Sequence, residues 1–203
     1  QLIDFAERGL LTRIDSPLPV GEPRERGASH GPGVRWQQHS LLRAYALALL
    51  RREGEEEAGR ERHAAVHNEL MRDADDRQVY YIMLPDYSQL RHAFQWTITH
   101  NLGLALALAG NTANLQAGFN LVRDNYDWAS RILSGAREAD DESAKGVALG
   151  TLANALSRLA NLPDEDRGVR LREALGAYDE ALKHYRPDTA PLDYAGTQNN
   201  RAL

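Results

Sequence analysis

Two similar helical units follow one another near the end of the chain, between residues 152 and 203, and the second is the shorter. The first unit includes residues 171–187, and the second begins at Tyr194. Helical repeats bury their apolar faces only by stacking on neighbours, so such units constrain the chain to an array of helix pairs. Because the second unit stops half-way, we expect a fragment of a longer protein that supplies a binding or regulatory surface.

The composition favours a mainly α fold. The chain has 203 residues, of which 42% are hydrophobic and 26% charged, as is ordinary for a globular protein. Ala, Leu and Arg, which favour helices, are abundant, whereas the strand-favouring Val, Ile and Phe are sparse. The net charge of −5 does not favour nucleic acid as a partner.

Several classes of site and segment find no support in the sequence. The chain has no cysteine, hence no disulfide and no thiolate metal site, which suits a cytoplasmic protein. No apolar run approaches the ~20 residues of a membrane-spanning helix, and no signal peptide is evident. We therefore expect a cytoplasmic chain without membrane contact.

A hairpin and a series of helices are predicted along the chain. Residues 1–11 read as a helix, and residues 12–14 and 34–37 as two strands joined by a Pro/Gly-rich loop. Helices follow at 39–50, 58–75, 86–98, 102–109, 115–121 and 126–139, with a break expected at Gly110–Asn111. Asp140, Asp141 and Glu142 are expected to cap the next helix.

The predicted core consists of apolar residues at helical spacing. In the helix after Pro85, the inward set is Leu90, Ala93, Phe94, Trp96 and Ile98. In the helix at 58–75, the inward set is Ala65, Leu70 and Met71.

The small–large–small–Pro pattern of Ala174, Tyr178, Ala181 and Pro187 is typical of closely paired helices that then stop. It resembles the second helix of a tetratricopeptide repeat. The stretch at residues 193–200 is similar to the phrase that opens each repeat in a longer variant of bacterial signalling proteins. The resemblance makes four further residues repeat-packing candidates, namely Tyr194, Ala195, Asn199 and Asn200. It departs at Arg201, where such repeats usually carry Leu-Gly.

The repeat also appears in a direct comparison of the chain with itself. An offset of 47 residues (194 − 147) matches Ala148 with Ala195, Ala155 with Ala202 and Leu156 with Leu203. We expect the last helix to present an unpaired apolar edge at Tyr194, Ala202 and Leu203. A plain amphipathic helix pair is the competing interpretation.

The first fifty residues carry a second resemblance. A helix, a wing and the segment at residues 35–46 are similar to the winged-helix subdomain of NB-ARC-type signalling NTPases of the STAND class. In that family a Met-His-Asp motif contacts the β-phosphate of bound ADP, and its His corresponds in position to His39. Here the motif reads Gln38-His39-Ser40, which leaves Ser40 to cap the helix and makes His39 a candidate nucleotide contact.

Catalytic and metal motifs are not found in the sequence. It contains no Gly-x-x-x-x-Gly-Lys-Ser/Thr phosphate loop and no Gly-x-Ser-x-Gly elbow. His63 and His67 lie at helical i, i+4 spacing, but Ala64 replaces the Glu that a zinc protease requires, so we predict no metal site. We expect no enzyme activity and no cofactor in this fragment, with ADP or ATP bound through an upstream domain of the full-length protein.

These observations predict a winged-helix-like subdomain at 1–52, an α-helical region at 53–140 and tetratricopeptide-like repeats at 141–203. The implied function is a regulatory and protein-interaction segment of a STAND-type ATPase, which couples partner sensing to a nucleotide switch. A tetratricopeptide scaffold without an NTPase domain is the alternative, and a DNA-binding winged helix is a weaker one. The partner is a protein or peptide, and self-association stays open.

Overall fold

The structure is a computed structural model and describes residues 11–15, 34–72, 84–185, 187–188 and 190–202. The chain divides into two units. Unit 1 comprises residues 1–62 and 74–87, and unit 2 comprises residues 63–73 and 88–203. Leu11, the last residue of the helix predicted at 1–11, is instead the first residue of a strand. The rest of that predicted helix and the loop at 16–33 lie outside the described residues.

Unit 1 contains a two-stranded antiparallel sheet of β1 (Leu11–Asp15) and β2 (Val34–Gln38). Thr12 pairs with Gln37 and Ile14 with Arg35, as the hairpin prediction requires. Helix α1 (Ser40–Arg52) follows β2 directly, and Gly54 turns the chain with a φ of 72° into α2 (Glu56–Arg72). Glycine adopts this left-handed conformation without steric cost, so it suits the short turn.

Helices make up most of unit 2, which confirms the predicted mainly α fold. A 3-10 turn (Leu84–Asp86) precedes the first of them. The helices are α3 (Tyr87–His100), α4 (Leu102–Gly118), α5 (Val122–Glu138), α6 (Glu142–Leu159), α7 (Arg167–His184) and α8 (Pro191–Ala202). The unit boundaries fall within α2 and after the first residue of α3.

Short polar side chains begin three of these helices. Asn101, Asp141 and Asp166 accept hydrogen bonds from backbone N–H groups of the first turns of α4, α6 and α7. Such caps satisfy donors that have no partner inside the helix. The predicted cap at residues 140–142 is thus confirmed at Asp141.

The predicted break at Gly110–Asn111 is wrong, because α4 runs without interruption through both residues. A glycine inside a helix costs only about 1 kcal/mol relative to alanine. Leu108 and Leu115, which flank the glycine, are both fully buried. The burial of one leucine side chain contributes ~2 kcal/mol, so packing outweighs the local preference of glycine for a turn.

The helical core contains much of the predicted apolar set. Leu90, Ala93 and Phe94 are buried, and the Phe94 ring stacks on Trp128 with centroids 4.1 Å apart. Trp96 and Ile98 are only half-buried. In α2, Met71 is buried as predicted, whereas Ala65 is half-buried and Leu70 is 43% exposed; Ala64 takes the inward position.

A common pattern recurs in α2, α4, α6 and α8. Each has a small residue one turn before an asparagine, and the four pairs are Ala64 and Asn68, Ala107 and Asn111, Gly150 and Asn154, and Gly196 and Asn200. The helices between them also share a pattern, in which a buried large residue precedes a buried alanine by three positions. These pairs are Leu90 and Ala93, Leu133 and Ala136, and Tyr178 and Ala181.

The two patterns alternate along the chain and so divide the helices into successive pairs. The pairs are α2 with α3, α4 with α5, and α6 with α7, and α8 follows them. Neighbouring helices from α4 to α8 pack against one another, and α4 also packs against α6. The domain boundary predicted at residue 140 falls between α5 and α6, which pack together within unit 2.

Candidate functional site: the helical array and His39

Three predicted repeat-packing residues of α7 lie at its contact with α6. Ala174, Tyr178 and Ala181 are each at most 3% exposed. Ala174 and Tyr178 form one apolar cluster with Ala153 and Leu156 of α6. The two alanines leave room for close approach of the helices, and the tyrosine fills the space between them.

The remaining predicted packing residues lie at or after the end of α7. Pro187, Ala195 and Asn199 are exposed, whereas Tyr194 and Asn200 are half-buried. The sequence did not single out Thr197, which is the buried residue of α8 at 8% exposure. At the predicted apolar edge of α8, the Ala202 side chain is exposed, and that of Leu203 lies outside the described residues.

Asn154 joins three helices through one oxygen atom. Its Oδ1 accepts a hydrogen bond from Tyr178 OH of α7 at 2.7 Å and another from Asn200 Nδ2 of α8 at 3.1 Å. Burial raises the pKa of the Tyr178 phenol, which therefore stays protonated and able to donate. These two hydrogen bonds thus fix the positions of α6, α7 and α8 relative to one another.

The same contact recurs earlier in the array. Asn111 Nδ2 of α4 donates to Asn68 Oδ1 of α2 at 2.9 Å. The sequence interval is 43 residues here and 46 residues between Asn154 and Asn200. Sequence reasoning missed these asparagine contacts, although the small residue one turn before each asparagine was a signal that could have revealed them.

A cluster of charges holds the turn between α6 and α7. Arg123 of α5 donates to Asp164 at 2.6 Å and to Glu165 at 2.8 Å. Arg170 of α7 donates to the other oxygen of Glu165 at 2.8 Å. The hydrogen bond from Arg170, followed by that from Arg123, holds the Glu165 pKa below its usual value. The carboxylate therefore stays ionised and links α5 to α7.

His39 lies between β2 and α1, and its side chain is exposed. Its Nδ1 accepts a hydrogen bond from Leu41 N at 3.3 Å, so His39 caps α1. The expectation that Ser40 caps this helix is wrong, because Ser40 is already its first residue. In the neutral imidazole the proton is then on Nε2, which can donate to an anion.

Two of the three arginines of α1, Arg51 and Arg52, pair with carboxylates, whereas Arg43 is exposed. Arg51 Nε is 2.8 Å from Glu56, and Arg52 is 2.7 Å from Glu53. Hydrogen bonds from Arg51 and then Arg60 lower the pKa of Glu56, which therefore stays charged. Acidic partners weaken any attraction of this helix to a phosphate backbone.

The imidazoles of His63 and His67 lie together on α2, with ring centroids 4.2 Å apart. Nδ1 of His67 is 2.8 Å from the carbonyl oxygen of His63. Within the described ranges, no group of three or more His, Cys, Asp or Glu side chains is arranged to hold a metal ion.

Comparison of the chain with protein-family models, curated proteins and solved structures gave no significant match. None of the helices in the described part of the chain has both the length and the apolar character needed to cross a membrane.

Proposed function

We propose that the chain is the regulatory and protein-interaction segment of a STAND-type, NB-ARC-like signalling ATPase. In this proposal the tetratricopeptide-like helix pairs recognise a protein or peptide, and the winged-helix-like part reports the nucleotide state. The observation that carries it is the position of His39, directly after the β1–β2 pair and at the start of α1.

The geometry of His39 supports a nucleotide contact. The cap fixes Nδ1 as an acceptor and leaves the Nε2 proton for an outside partner. A phosphate oxygen of ADP is such a partner, and a donor next to an anion makes a strong hydrogen bond. The nucleotide itself would be held by a phosphate loop in another domain of the same protein.

The helix pairs support the interaction role. Stacked pairs present a continuous surface on which partners bind, and the asparagine contacts join α2 with α4 and α6 with α8. A second candidate function is a scaffold of the same repeats without a nucleotide switch. The observation that favours it is that the residues recurring from α2 to α8 lie outside the segment that contains His39.

The coding sequence before Gln1 distinguishes between these two proposed functions. A Gly-x-x-x-x-Gly-Lys-Ser/Thr motif within the preceding ~300 residues, about two domains' length, supports the ATPase segment. If the gene encodes no such motif there, the scaffold function replaces it. Turnover of ATP by residues 1–203 alone would contradict both.

A further inference from the structure

Arg158, in the last turn of α6, is a half-buried cation without a counter-ion in the described part of the chain. Its Nη1 donates a hydrogen bond to the backbone oxygen of Ala113 in α4 at 3.3 Å. A guanidinium carries several further N–H donors, which fan out in one plane. Most of these donors, and the charge itself, are therefore not matched by the chain that the structure describes.

Two asparagine side chains beside Arg158 also have unused hydrogen-bonding groups. Asn154 lies one turn before Arg158 on the same face of α6, and Asn111 of α4 lies two residues before Ala113. Within the described ranges, neither Nδ2 of Asn154 nor Oδ1 of Asn111 has a partner. The place where α4 and α6 pack together, here called the α4–α6 junction, thus offers a donor and an acceptor beside a positive charge.

The unused donor of Asn154 is held in a fixed orientation. Its Oδ1 already accepts hydrogen bonds from Tyr178 and Asn200, so the side-chain amide cannot turn freely. Burial raises the pKa of the Tyr178 phenol, whereas a hydrogen bond with Ser157 and the charge of Arg158 act in the opposite direction. Arg158 therefore lies close to the phenol that orients Asn154. Groups that are ordered in advance lose little freedom when a ligand binds.

The charge of Arg158 is not balanced by its surroundings. Helix α4 has no charged residue, and Arg158 is the one charged residue of α6 after Lys145. The acidic side chains of the turn after α6 and the adjoining part of α7 bond to arginines or cap α7, namely Asp164, Glu165, Asp166, Glu173 and Asp179. The same region has an equal number of arginines, namely Arg123, Arg167, Arg170, Arg172 and Arg201. On α8, Asp193 lies two turns before Asn200. The charge left at the junction is therefore positive and attracts an anion.

We propose that the α4–α6 junction binds an acidic segment of polypeptide, with a carboxylate on Arg158 and a main-chain amide on the two asparagines. The planar guanidinium matches the two oxygens of a carboxylate. A peptide group has a carbonyl oxygen and an N–H, which are the partners that Asn154 Nδ2 and Asn111 Oδ1 lack. A small anion without peptide groups would leave both asparagines unmatched, so the junction favours a peptide.

This inference rests on the interaction role proposed above and names its class of partner. It does not involve His39 or a nucleotide. An upstream phosphate loop together with no peptide binding at Arg158 would overturn only the inference. Peptide binding at Arg158 without such a motif would overturn only the ATPase segment. The two failures are therefore distinguishable.

Separate probes distinguish the two sources of a carboxylate in a polypeptide. Acetyl-Ala-Glu-Ala-amide carries it on a side chain, and acetyl-Ala-Ala-Ala carries it at the chain end. Each is compared with its neutral counterpart, which is the Gln peptide or the C-terminal amide, and with acetate. Amide resonances of the ¹⁵N-labelled chain, including the side-chain amide of Asn154, report where each probe binds.

We expect saturable shifts at Ala113, Asn154 and Arg158 with at least one acidic peptide and a Kd on the order of 1 mM, as suits a ligand of this size. The peptide that binds more tightly identifies the source. The neutral peptides and acetate should bind roughly tenfold more weakly, because each lacks one kind of contact. Arg158→Gln should cause a similar loss, whereas Arg172→Gln, at an exposed arginine of α7, should leave the affinity unchanged.

Four results would overturn the proposal. The first is the absence of saturable shifts at these residues up to about 20 mM of both acidic peptides, well above the expected Kd. The second is equal affinity for acidic and neutral peptides, and the third is acetate that binds as tightly as the peptides. The fourth is unchanged binding by the Arg158→Gln chain, whose amide spectrum verifies its fold. The first three need only the unaltered chain, so they decide the question even if the variant does not fold.

Discussion

Asn200 of α8 donates a hydrogen bond from Nδ2 to Oδ1 of Asn154 in α6 over 3.1 Å. The same oxygen accepts the phenol proton of Tyr178 at 2.7 Å. Two asparagines at equivalent positions of α6 and α8 are thus hydrogen-bonded to each other, and the tyrosine of α7 bonds to one of them. These hydrogen bonds fix the relative positions of α6, α7 and α8, in addition to the apolar packing of the helices.

Replacing Asn154 with alanine should destabilise the chain by about 1–2 kcal/mol. The substitution leaves the Tyr178 hydroxyl and the Asn200 amide without their shared acceptor, and unsatisfied groups away from water are costly. Denaturant unfolding followed by circular dichroism measures the loss. Asn114→Ala, at an exposed asparagine of α4, should change stability by no more than about 0.5 kcal/mol. Equal effects of the two substitutions would show that the hydrogen bonds to Asn154 contribute nothing to the free energy of unfolding.

Gly110→Ala should stabilise the chain by about 0.5–1 kcal/mol. The residue is inside α4, and apart from its chain neighbours and the backbone of its own helix, no atom lies within 4 Å of the position of an added Cβ. Alanine loses less backbone entropy than glycine when it becomes helical. Thermal unfolding should give a higher midpoint. A lower midpoint would favour the break at Gly110–Asn111 that the sequence indicated.

Gly146→Ala should destabilise the chain by ~1–3 kcal/mol. An added methyl group would lie 2.8 Å from Cβ of His184, an atom that cannot rotate away. Helices α6 and α7 would have to separate, and overpacking has costs of this size. The matched variant is Gly176→Ala, which meets open space and should instead gain about 0.5–1 kcal/mol. The same sign for both variants would contradict the close approach at Gly146.

The chain should lose stability as the pH rises from about 10 to about 12. Burial, with a smaller effect of Asp193, raises the pKa of the Tyr185 phenol to about 12 from its ordinary value of 10.0. The folded state therefore keeps a proton that the unfolded chain releases, so unfolding becomes easier over this interval.

Tyr185→Phe should flatten the alkaline part of the stability curve, because the phenylalanine has no proton to release. Tyr178 also has a raised pKa, so some slope should remain. Tyr45→Phe is the control, since Tyr45 is 66% exposed. Parallel decreases for the wild-type chain and the Tyr185→Phe chain, measured by urea unfolding at each pH, would exclude this contribution.

Local patterns in the sequence predicted local structure well. The cap at Asp141 and the buried Ala174, Tyr178 and Ala181 depend on residues within a few positions of one another. The continuity of α4 was missed because local propensity favours a turn at Gly110, whereas tertiary packing decides the outcome.

Contacts between distant residues were harder to predict. The offset of 47 residues aligned alanines, whereas an offset of 46 aligns Asn154 with Asn200 and Gly150 with Gly196. The unequal intervals of the asparagines hid the earlier repeats from a comparison at one fixed period.

The proposed nucleotide switch is tested most directly by the ADP affinity of the protein as its gene encodes it, with and without His39→Ala. Titration calorimetry on purified, nucleotide-free protein gives both values. The account predicts that ADP binds and that the substitution weakens binding about tenfold or more, as loss of a charge-assisted hydrogen bond requires. Asn in place of His39, which preserves a helix cap, should give the same weakening. No binding of ADP, or equal affinity in all three proteins, would contradict the account.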